Sequence, residues 1–444
     1  MKIIKWLYPG LRLKRWLLVA FLGVLLLLAA ASFFQNAEIN AAVLGPGRHS
    51  LQWLAAGTLT AAAGFALLLA GAYRAFHSVV AVLLPEEQSR LVDIVFARRW
   101  LKHGPRIVVI GGGTGLSVLL KGLKSYTANI TAVVSVADDG GSSGRLREEL
   151  GILPPGDIRN CLIALADKET LMEEVLQYRF GAGELAGHSL GNLMLAALTE
   201  VTGDFYKAVD SLSKVLAVRG RVLPVTLANV ALGAVLADGR TLCGQRHITK
   251  SAVPVERVFL IPSPCRPPAE VLTAIREADA VVLGPGSLYT SVIPNLLVEG
   301  IPEAVNRARG IKIYVANVMT QPGETAGYSA ADHCRALLAH APLRLDYVLV
   351  NQQQAPEKTL ERYRGEGAEP VRVDAAALEA LGVQVVGGRF LGEGDLLRHH
   401  PERLARAVLE LVLAGRGRAG LITFRVEKRI KELLAQGRQL DRKG

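Results

Sequence analysis

The chain has 444 residues, half of them hydrophobic, and a formal net charge of +11. Residues 1–15 contribute +5 and residues 416–444 contribute +6, so the chain between them is neutral overall. Nucleic-acid-binding domains normally carry their excess positive charge within the fold, so this distribution argues against a nucleic-acid partner and favours anionic lipid near the two basic ends.

Two uncharged apolar runs come first in the chain, over residues 16–34 and 51–73. The first has 19 residues, which would make a helix of about 28 Å, close to the thickness of a bilayer core. Lys and Arg are frequent outside this pair of runs and rare between them, so the positive-inside rule places both ends in the cytoplasm. A cleaved signal peptide is the alternative for the first run. The four cysteines argue against export, because they lack pair spacing and indicate reduced thiols.

These features predict four segments. Residues 1–80 form a basic N-terminus and a transmembrane hairpin, and residues 81–104 form an amphipathic linker at the membrane surface. Residues 105–412 form the soluble domain, and residues 413–444 form a basic C-terminal helix. The predicted location is the cell membrane, as a multi-pass protein whose soluble domain lies in the cytoplasm.

The soluble domain alternates short apolar runs with helix-length segments. The runs are rich in Val, Ile and Leu without polar alternation, which is typical of parallel strands buried on both faces. Residues 160–218 are predicted to be mostly helical, and residues 221–260 contain the turn signal Asp238-Gly239, which predicts a small antiparallel insertion. The predicted fold class is α/β: a Rossmann-like, mostly parallel sheet with flanking helices, preceded by two transmembrane helices.

A glycine-rich loop follows the first strand of this domain. It contains Gly111, Gly112, Gly113, Thr114 and Gly115, and a helix is predicted to begin there. The first turn of a helix has unpaired N–H groups and a partial positive charge, and glycine lets the backbone approach a ligand closely. The loop is therefore suited to a phosphate or another anion. It departs from the dinucleotide fingerprint, which would have a small residue in place of Leu116.

An acidic, hydroxyl-rich loop follows the second strand. Its candidate residues are Asp138, Asp139, Gly140, Ser142, Ser143 and Arg145. Two adjacent carboxylates can hold ribose hydroxyls or a Mg²⁺ ion that bridges to phosphates, so Asp138 and Asp139 are the candidate metal ligands. The hydroxyl, N–H and guanidinium groups that follow them suit anionic oxygen. A turn with solvated acids is the alternative.

Two further strand ends carry candidate residues. Gly284, Gly286 and Ser287 follow one apolar run, and Asn317 follows the next. Because parallel sheets bind ligands at the carboxyl ends of their strands, we expect these loops to converge on one cleft.

Other candidates are an acid at a helix start, two amides, two tyrosines that could stack on a base, and a cation for a diphosphate. They are Asp157, Asn160, Asn192, Tyr289, Tyr363 and Arg398. For each of them the alternative is a structural role, as a helix cap, a packed ring or a solvated surface group.

Longer stretches of the chain resemble one protein family. The chain is similar to the bacterial gluconeogenesis-factor family in VVIGGGTGLSVLLKGL, VADDGGSSGRLREELGILPPGDIRNCL, GHSLGNL, GPGSLYTSVIPNLLVEGI and NVMTQPGETAGY. That family is related in fold to 2-phospho-L-lactate transferase, and the resemblance covers residues 105–412. It implies a Rossmann-like core that binds a UDP-sugar such as UDP-N-acetylglucosamine. It also implies a regulator of gluconeogenic growth, envelope precursor supply and cell shape, which would act on a partner enzyme of amino-sugar or envelope synthesis.

The transferase branch implies an alternative, a Mg²⁺-dependent enzyme that moves a phospholactyl group from a guanosine nucleotide onto deazaflavin. In that branch a Ser-Pro-Asp segment follows the acidic loop, whereas this chain has Pro155 and Gly156 before Asp157. A weaker alternative, an NAD-dependent oxidoreductase, rests on the first glycine loop and the acid after the second strand. The prediction is a regulatory nucleotide-sugar-binding protein, with Mg²⁺ beside the nucleotide as an option. Catalytic residues and a homo-oligomeric state are left open.

Overall fold

The computed structural model describes residues 13–44, 48–83, 100–167, 170–394 and 396–415. The chain divides into two compact units, residues 1–98 and residues 99–444. Most of the predicted amphipathic linker, residues 84–99, and most of the predicted tail helix, residues 416–444, lie outside the described residues.

The first unit consists of two long helices, α1 (Leu13–Leu44) and α2 (Arg48–Leu83). Within them, Lys14–Ile39 and Leu51–Ser78 are long and apolar enough to cross a membrane. Large apolar side chains face outward, and Leu18, Phe21 and Leu59 are each more than 60% exposed. A surface of this kind is typical of helices that lipid surrounds.

The two helices pack along a seam of small residues that repeat at every seventh position. Its buried members are Gly23, Ala30 and Ala37 on α1 and Gly57, Gly64 and Gly71 on α2. A Cβ atom at Gly64 would lie 2.9 Å from the Gly23 carbonyl oxygen. Glycine therefore allows the two backbones to approach at this point. Near one end of the pair, the Arg74 guanidinium lies 5.1 Å from the Trp16 ring.

The second unit is built on a parallel sheet. The strands among its described residues are β1 (Ile107–Gly111), β2 (Ile130–Val134), β3 (Arg221–Pro224), β4 (Ala231–Leu236), β5 (Thr241–Cys243), β6 (Val255–Ile261), β7 (Ala280–Leu283), β8 (Ile311–Val315), β9 (Tyr347–Asn351) and β10 (Gln384–Gly388). Seven of them form one sheet in the order β3-β2-β1-β7-β8-β9-β10, and all of its pairings are parallel. All residues of β1, β2 and β7 are buried, as the uninterrupted apolar runs predicted.

Helices follow most of the strands. Those described are α3 (Gly113–Leu123), α4 (Gly141–Leu150), α5 (Gly156–Leu165), α6 (Thr170–Gln177), α7 (Leu190–Thr202), α8 (Phe205–Val215), α9 (Gln245–Thr249), α10 (Ala269–Arg276), α11 (Ile293–Leu296), α12 (Ile301–Arg307), α13 (Ala330–His340), α14 (Glu357–Gly365), α15 (Ala375–Ala380) and α16 (Pro401–Gly415). A π-helical turn, Leu288–Val292, leads directly into α11. Helices α5 to α8 confirm the helical prediction for residues 160–218.

The strand order reverses between β1 and β7. From β1 the chain runs outward through β2 to β3, then returns to place β7 on the other side of β1 and continues outward to β10. Open α/β sheets bind ligands at the carboxyl ends of the strands where the order reverses. The loops after β1 and β7 occupy that position in this fold.

A three-stranded antiparallel sheet, β5-β4-β6, is inserted between β3 and β7. Its first turn follows Asp238, with Gly239 at a φ of +82°, which confirms the predicted insertion. The predicted start of this insertion at residue 221 is wrong, because β3 pairs in parallel with β2 at the edge of the main sheet. This strand has four residues and begins with the exposed Arg221, so it carries a weak sequence signal.

Candidate functional site

The loops after β1 and β7 contact each other at the carboxyl end of the sheet. A Cβ atom at Gly115 would lie 2.7 Å from the Pro285 carbonyl oxygen, and one at Gly286 would lie 3.1 Å from the Gly112 carbonyl oxygen. Side chains at these positions would push the loops apart, so the contact depends on glycine. Helix α3 begins at Gly113 and places the unpaired N–H groups of its first turn at this junction.

Gly111 and Gly284 lie beneath this junction, where the two strands end. The Gly284 N–H donates to the Ile110 carbonyl oxygen at 2.9 Å, and its φ is +77°. A Cβ atom at Gly111 would lie 3.7 Å from the Gly284 Cα atom. Both glycines thus shape the floor of the site.

A cleft of about 260 Å³ opens at the junction. Its walls are the backbones of the two glycine loops and polar side chains from two further segments. From the predicted set, the structure brings together Gly112, Gly113, Thr114, Gly115, Gly286, Ser287, Asn317 and Arg398.

A larger pocket of about 670 Å³ adjoins the cleft and shares Asn317, Val318 and Met319 with it. It lies at the carboxyl ends of β8 and β9, and amide side chains such as Asn351 and Gln353 contribute to its lining. The Gln353 Oε1 atom is buried without a hydrogen-bond partner among the described residues. The two cavities together have room for a phosphate group and an attached polar ring.

Asn317 and Ser287 hold the second glycine loop in place. The Gly286 N–H donates to Asn317 Oδ1 at 3.3 Å, and Asn317 Nδ2 donates to the Gly286 carbonyl oxygen at 2.9 Å. The Ser287 hydroxyl donates to Gln321 Oε1 at 2.6 Å. These side chains are engaged with the protein, so their role is to position the loop.

A buried carboxylate, Glu324, anchors the π-helical turn that follows this loop. It accepts hydrogen bonds from the Thr290 hydroxyl at 2.9 Å, from the Gln321 amide at 3.1 Å and from the Tyr289 N–H at 3.3 Å. Burial raises the pKa of Glu324 to about 7 in spite of these donors. Sequence reasoning missed Glu324, because an acid in a Pro-Gly-Glu turn has no spacing that marks it as buried.

Arg398 and His399 line the cleft beside the glycine loops. Arg398 is exposed, and its guanidinium has no hydrogen-bond or ion-pair partner within the described part of the chain. His399 is buried, and burial lowers its pKa to about 4, so its imidazole is neutral at pH 7. Arg398 therefore supplies a free positive charge next to the loops that are suited to phosphate.

Asp157 lies against the first glycine loop. A Cβ atom at Gly112 would lie 2.6 Å from Asp157 Oδ2, and the Gly113 N–H donates a hydrogen bond to the same carboxylate. Burial, followed by the charge of Asp138, raises the pKa of Asp157 to about 7. The start of α3 thus already holds one carboxylate, while Thr114 and Gly115 line the cleft, where a second anion would bind.

Asp138 is the acidic neighbour of Asp157. Its Oδ1 atom accepts from the Gly140 N–H at 2.9 Å, and the Ser143 hydroxyl also bonds to this carboxylate. The Gly156 N–H in turn donates to Ser143 Oγ at 3.2 Å, which ties the acidic loop to the start of α5. Burial raises the pKa of Asp138 above its usual value. Two carboxylates that favour protonation therefore lie on one side of the cleft.

Asp139 is engaged elsewhere. Its Oδ1 atom accepts from the Arg246 N–H at 3.0 Å, which caps the first turn of α9 in the antiparallel insertion. The structure thus pairs Asp138 with Asp157 rather than with the adjacent acid. Groups of three or more His, Cys, Asp or Glu side chains suited to a metal ion are absent from the described residues.

A buried polar network connects α4, α5 and α7. The Ser142 Oγ atom lies 2.9 Å from His188 Nδ1 and accepts from Asn192 Nδ2 at 3.1 Å. Arg159 donates to Asn192 Oδ1 at 2.8 Å and to the Ser189 hydroxyl. All five residues are buried. Ser142 and Asn192 thus stabilise the helices that carry the acidic pair.

Arg145 and Asn160 also have partners within the protein. Arg145 Nη2 donates to the Ala186 carbonyl oxygen at 2.6 Å, and Asn160 Oδ1 accepts from Arg159 Nη2 at 2.8 Å. Their contacts position neighbouring backbone and side chains on the acidic side of the site.

The two candidate tyrosines lie outside the cleft lining. Tyr289 is 2% exposed and its hydroxyl lies 2.9 Å from that of Tyr328, so its ring belongs to the core. The Tyr363 hydroxyl accepts from the Leu397 N–H at 3.1 Å and thereby supports the residue that precedes Arg398.

Comparison with known proteins gives concordant matches. The profile of the family described as 2-phospho-L-lactate transferase CofD matches residues 107–391. The chain is 50% identical to the gluconeogenesis factor of Bacillus subtilis over 311 residues, covering 69% of this chain and 98% of that protein. It is 49% identical to a gluconeogenesis-factor homologue from Nostoc sp. over 420 residues, covering 91% of this chain and 92% of the homologue. The crystal structure of a UPF0052 family member from Bacillus halodurans matches with a TM-score of 0.67 at 50% identity, covering 69% of this chain and 99% of that one.

Proposed function

This chain belongs to the CofD family and, within it, to the gluconeogenesis factors, and on that premise we propose that it binds a nucleotide sugar of the UDP-N-acetylglucosamine type. The bound state would regulate a partner enzyme of amino-sugar or envelope synthesis, and thereby gluconeogenic growth, envelope precursor supply and cell shape. A ligand can regulate in this way only when it binds two states of the protein with different affinities.

The contact between the two glycine loops is the observation that carries this proposal. A diphosphate in the cleft would meet the N–H groups of Thr114 and Gly115 at the start of α3, and Arg398 would face it from the opposite wall. The adjoining amide-lined pocket has hydrogen-bonding groups for a uracil ring or an N-acetyl group. Asp138 and Asp157 can accept hydrogen bonds from sugar hydroxyls on the other side.

Calorimetry tests this proposal directly. The full chain in nanodiscs would be titrated with UDP-N-acetylglucosamine, with UDP-glucose and with UDP. We expect saturable binding that Arg398→Gln weakens roughly tenfold, because a charge-assisted contact to phosphate is lost. Arg362→Gln on α14 is the matched control, since it removes one arginine outside the lining of the cleft. The proposal fails if none of the three nucleotides binds.

We further propose that the hairpin of α1 and α2 anchors the protein in the cell membrane with its soluble domain in the cytoplasm. The length of the two spans, their outward-facing apolar side chains and the basic residues that flank them support this location. The protein should stay in the membrane pellet after alkaline extraction. Protease added to spheroplasts should leave the soluble domain intact, and cleavage of that domain would contradict the proposed orientation.

The pair of Asp138 and Asp157 favours a second candidate, a Mg²⁺-dependent transferase of the phospholactate type. Mg²⁺ is usually held by one or two carboxylates together with substrate phosphates, and these two carboxylates lie beside the phosphate cleft. Bound there, the ion would stabilise negative charge on a diphosphate. Asp138 and Asp157 would hold the ion, and Arg398 would orient the phosphates.

Turnover distinguishes the two candidates. A guanosine-linked phospholactate would be offered with a deazaflavin acceptor and Mg²⁺. Product that depends on Asp157 would support the transferase. Saturable binding of a UDP-sugar without any product would favour the regulator.

A further inference from the structure

Four arginines surround a groove at the amino-terminal ends of the central strands, the edge of the sheet opposite the ligand cleft. The groove has a volume of about 620 Å³. Its charged lining residues are Arg106, Arg276, Arg307, Arg309, Glu277 and Asp279. Four positive and two negative charges therefore meet at this edge, which we call the basic edge.

The acids of the basic edge are engaged by only one of its arginines. Arg106 Nη1 lies 3.0 Å from Glu277 Oε2, and the Arg106 N–H donates to Asp279 Oδ2 at 2.7 Å. Arg307 and Arg309 are exposed, and neither side chain has a hydrogen-bond or ion-pair partner among residues 100–167, 170–394 and 396–415. Their charge is available to a partner outside the chain.

Both connections to the ends of the chain leave the soluble unit at this edge. Strand β1 begins at Ile107, and the chain that precedes it leads through residues 84–99 to the apolar hairpin. Helix α16 ends at Gly415, where a Cβ atom would lie 3.2 Å from the Ile311 side chain at the start of β8. The chain beyond it, residues 416–444, carries a net charge of +6. An apolar segment and a strongly basic segment are therefore both attached to the edge that carries the free arginines.

From this convergence we propose that the basic edge docks on anionic phospholipid head groups. A guanidinium pairs with a phosphate through two parallel N–H contacts, and the negative potential of a cytoplasmic membrane surface attracts basic residues. The inference rests on the proposed membrane location and adds an orientation to it. The amino-terminal edge of the sheet faces the bilayer, and the nucleotide cleft at the carboxyl edge faces the cytoplasm.

Hydrogen exchange of the full chain in nanodiscs tests this docking. One set of discs contains phosphatidylcholine alone, and the other contains about 30% phosphatidylglycerol. We expect the peptide over residues 306–311, between α12 and β8, to exchange roughly threefold more slowly in the anionic discs, and this difference to vanish at high salt. The glycine-loop peptide over residues 111–116 should exchange at the same rate in both.

Paired variants make the test specific. Arg307→Gln/Arg309→Gln should abolish the difference between the discs, whereas Arg362→Gln/Arg364→Gln, with the same change in charge on α14, should preserve it. Thermal unfolding should be unchanged in both, because all four side chains are exposed. The docking proposal is overturned if the chain enters both kinds of disc and residues 306–311 exchange equally in them, or if the difference survives in the Arg307/Arg309 variant. Failure of the chain to enter any disc would instead overturn the membrane location, and this inference with it.

Discussion

Asp157 and Gly113 are joined by a hydrogen bond from the Gly113 N–H to the Asp157 carboxylate, at the edge of the glycine cleft. One acid of the chain therefore occupies part of the anion site at the start of α3. Because the pKa of this acid is about 7, its charge changes within the physiological range. Ligand binding at the adjacent loop should respond to that change.

Nucleotide-sugar affinity is expected to fall between pH 6 and pH 8 when Mg²⁺ is absent. Asp157 ionises as the pH rises through about 7, and its negative charge then repels a diphosphate in the cleft. We expect a loss of roughly threefold to tenfold in affinity over this range, measured by calorimetry with UDP-N-acetylglucosamine. Asp157→Asn should bind with nearly constant affinity. An equal pH dependence in wild type and variant would show that another group is responsible.

Mg²⁺ should reverse the sign of this effect. A divalent cation favours the ionised carboxylates of Asp138 and Asp157, so the affinity for nucleotide should rise with pH when Mg²⁺ is present. The same titrations with added Mg²⁺ measure it, and Asp139→Asn is the control because that carboxylate caps α9 instead. Loss of the Mg²⁺ effect in Asp139→Asn alone would place the ion elsewhere.

Glu324 should make the folded state less stable at high pH. Its pKa of about 7 in the folded protein lies above the usual 4.5, so the protonated acid favours folding. The stability that Glu324 contributes is fully present below pH 4.5 and is lost as the pH rises through about 7.

Thermal or urea unfolding at pH 5 and pH 8 measures this contribution. Wild type should lose on the order of 2 kcal/mol more than Glu324→Gln between these two pH values. The exposed Glu303→Gln should follow wild type. The pKa assignment is wrong if the curves of wild type and Glu324→Gln stay parallel.

Gly115→Ala should impair both folding and binding. The added Cβ atom would lie 2.7 Å from the Pro285 carbonyl oxygen, so the loops after β1 and β7 would separate. We expect a loss of about 1–3 kcal/mol in the free energy of unfolding, together with weaker nucleotide binding. Gly181→Ala is the control, since a Cβ atom there has nothing within 4 Å. Normal binding by Gly115→Ala would show that the loop contact is dispensable.

The parallel sheet and the glycine loops were predictable from the sequence because their signals are local. Residues 107–110 form an uninterrupted apolar run, and glycines at the end of such a run mark a close backbone approach. The edge strand β3 was not predictable, because it has only four residues and ends in Pro224. Tertiary pairing with β2, rather than local pattern, determines its place in the sheet.

The partners of the acidic loop were not predictable, because they are distant in sequence. Asp139 follows Asp138 directly, yet its carboxylate is used by α9, and the neighbour of Asp138 comes from the start of α5. Tyr289 follows the second glycine loop, but the π-helical turn directs its ring toward Tyr328 in the core. Side-chain direction in such turns depends on packing that no sequence spacing encodes.

The seam between α1 and α2 gives the last prediction. A Cβ atom at Gly64 would lie 3.0 Å from the Leu26 Cβ atom, so cysteines at these two positions are close enough for a disulfide after a small adjustment. In membranes that contain the full chain, Leu26→Cys/Gly64→Cys should therefore oxidise and resist maleimide labelling, in a background in which the exposed Cys243 is replaced by Ser. Leu25→Cys/Gly64→Cys should stay reduced, because Leu25 is exposed on the outer face of α1. Adding Gly71→Ile should lower the yield of the first pair, since a side chain at Gly71 meets the Ala20 backbone. Equal oxidation of both pairs would mean that the two helices do not share this seam.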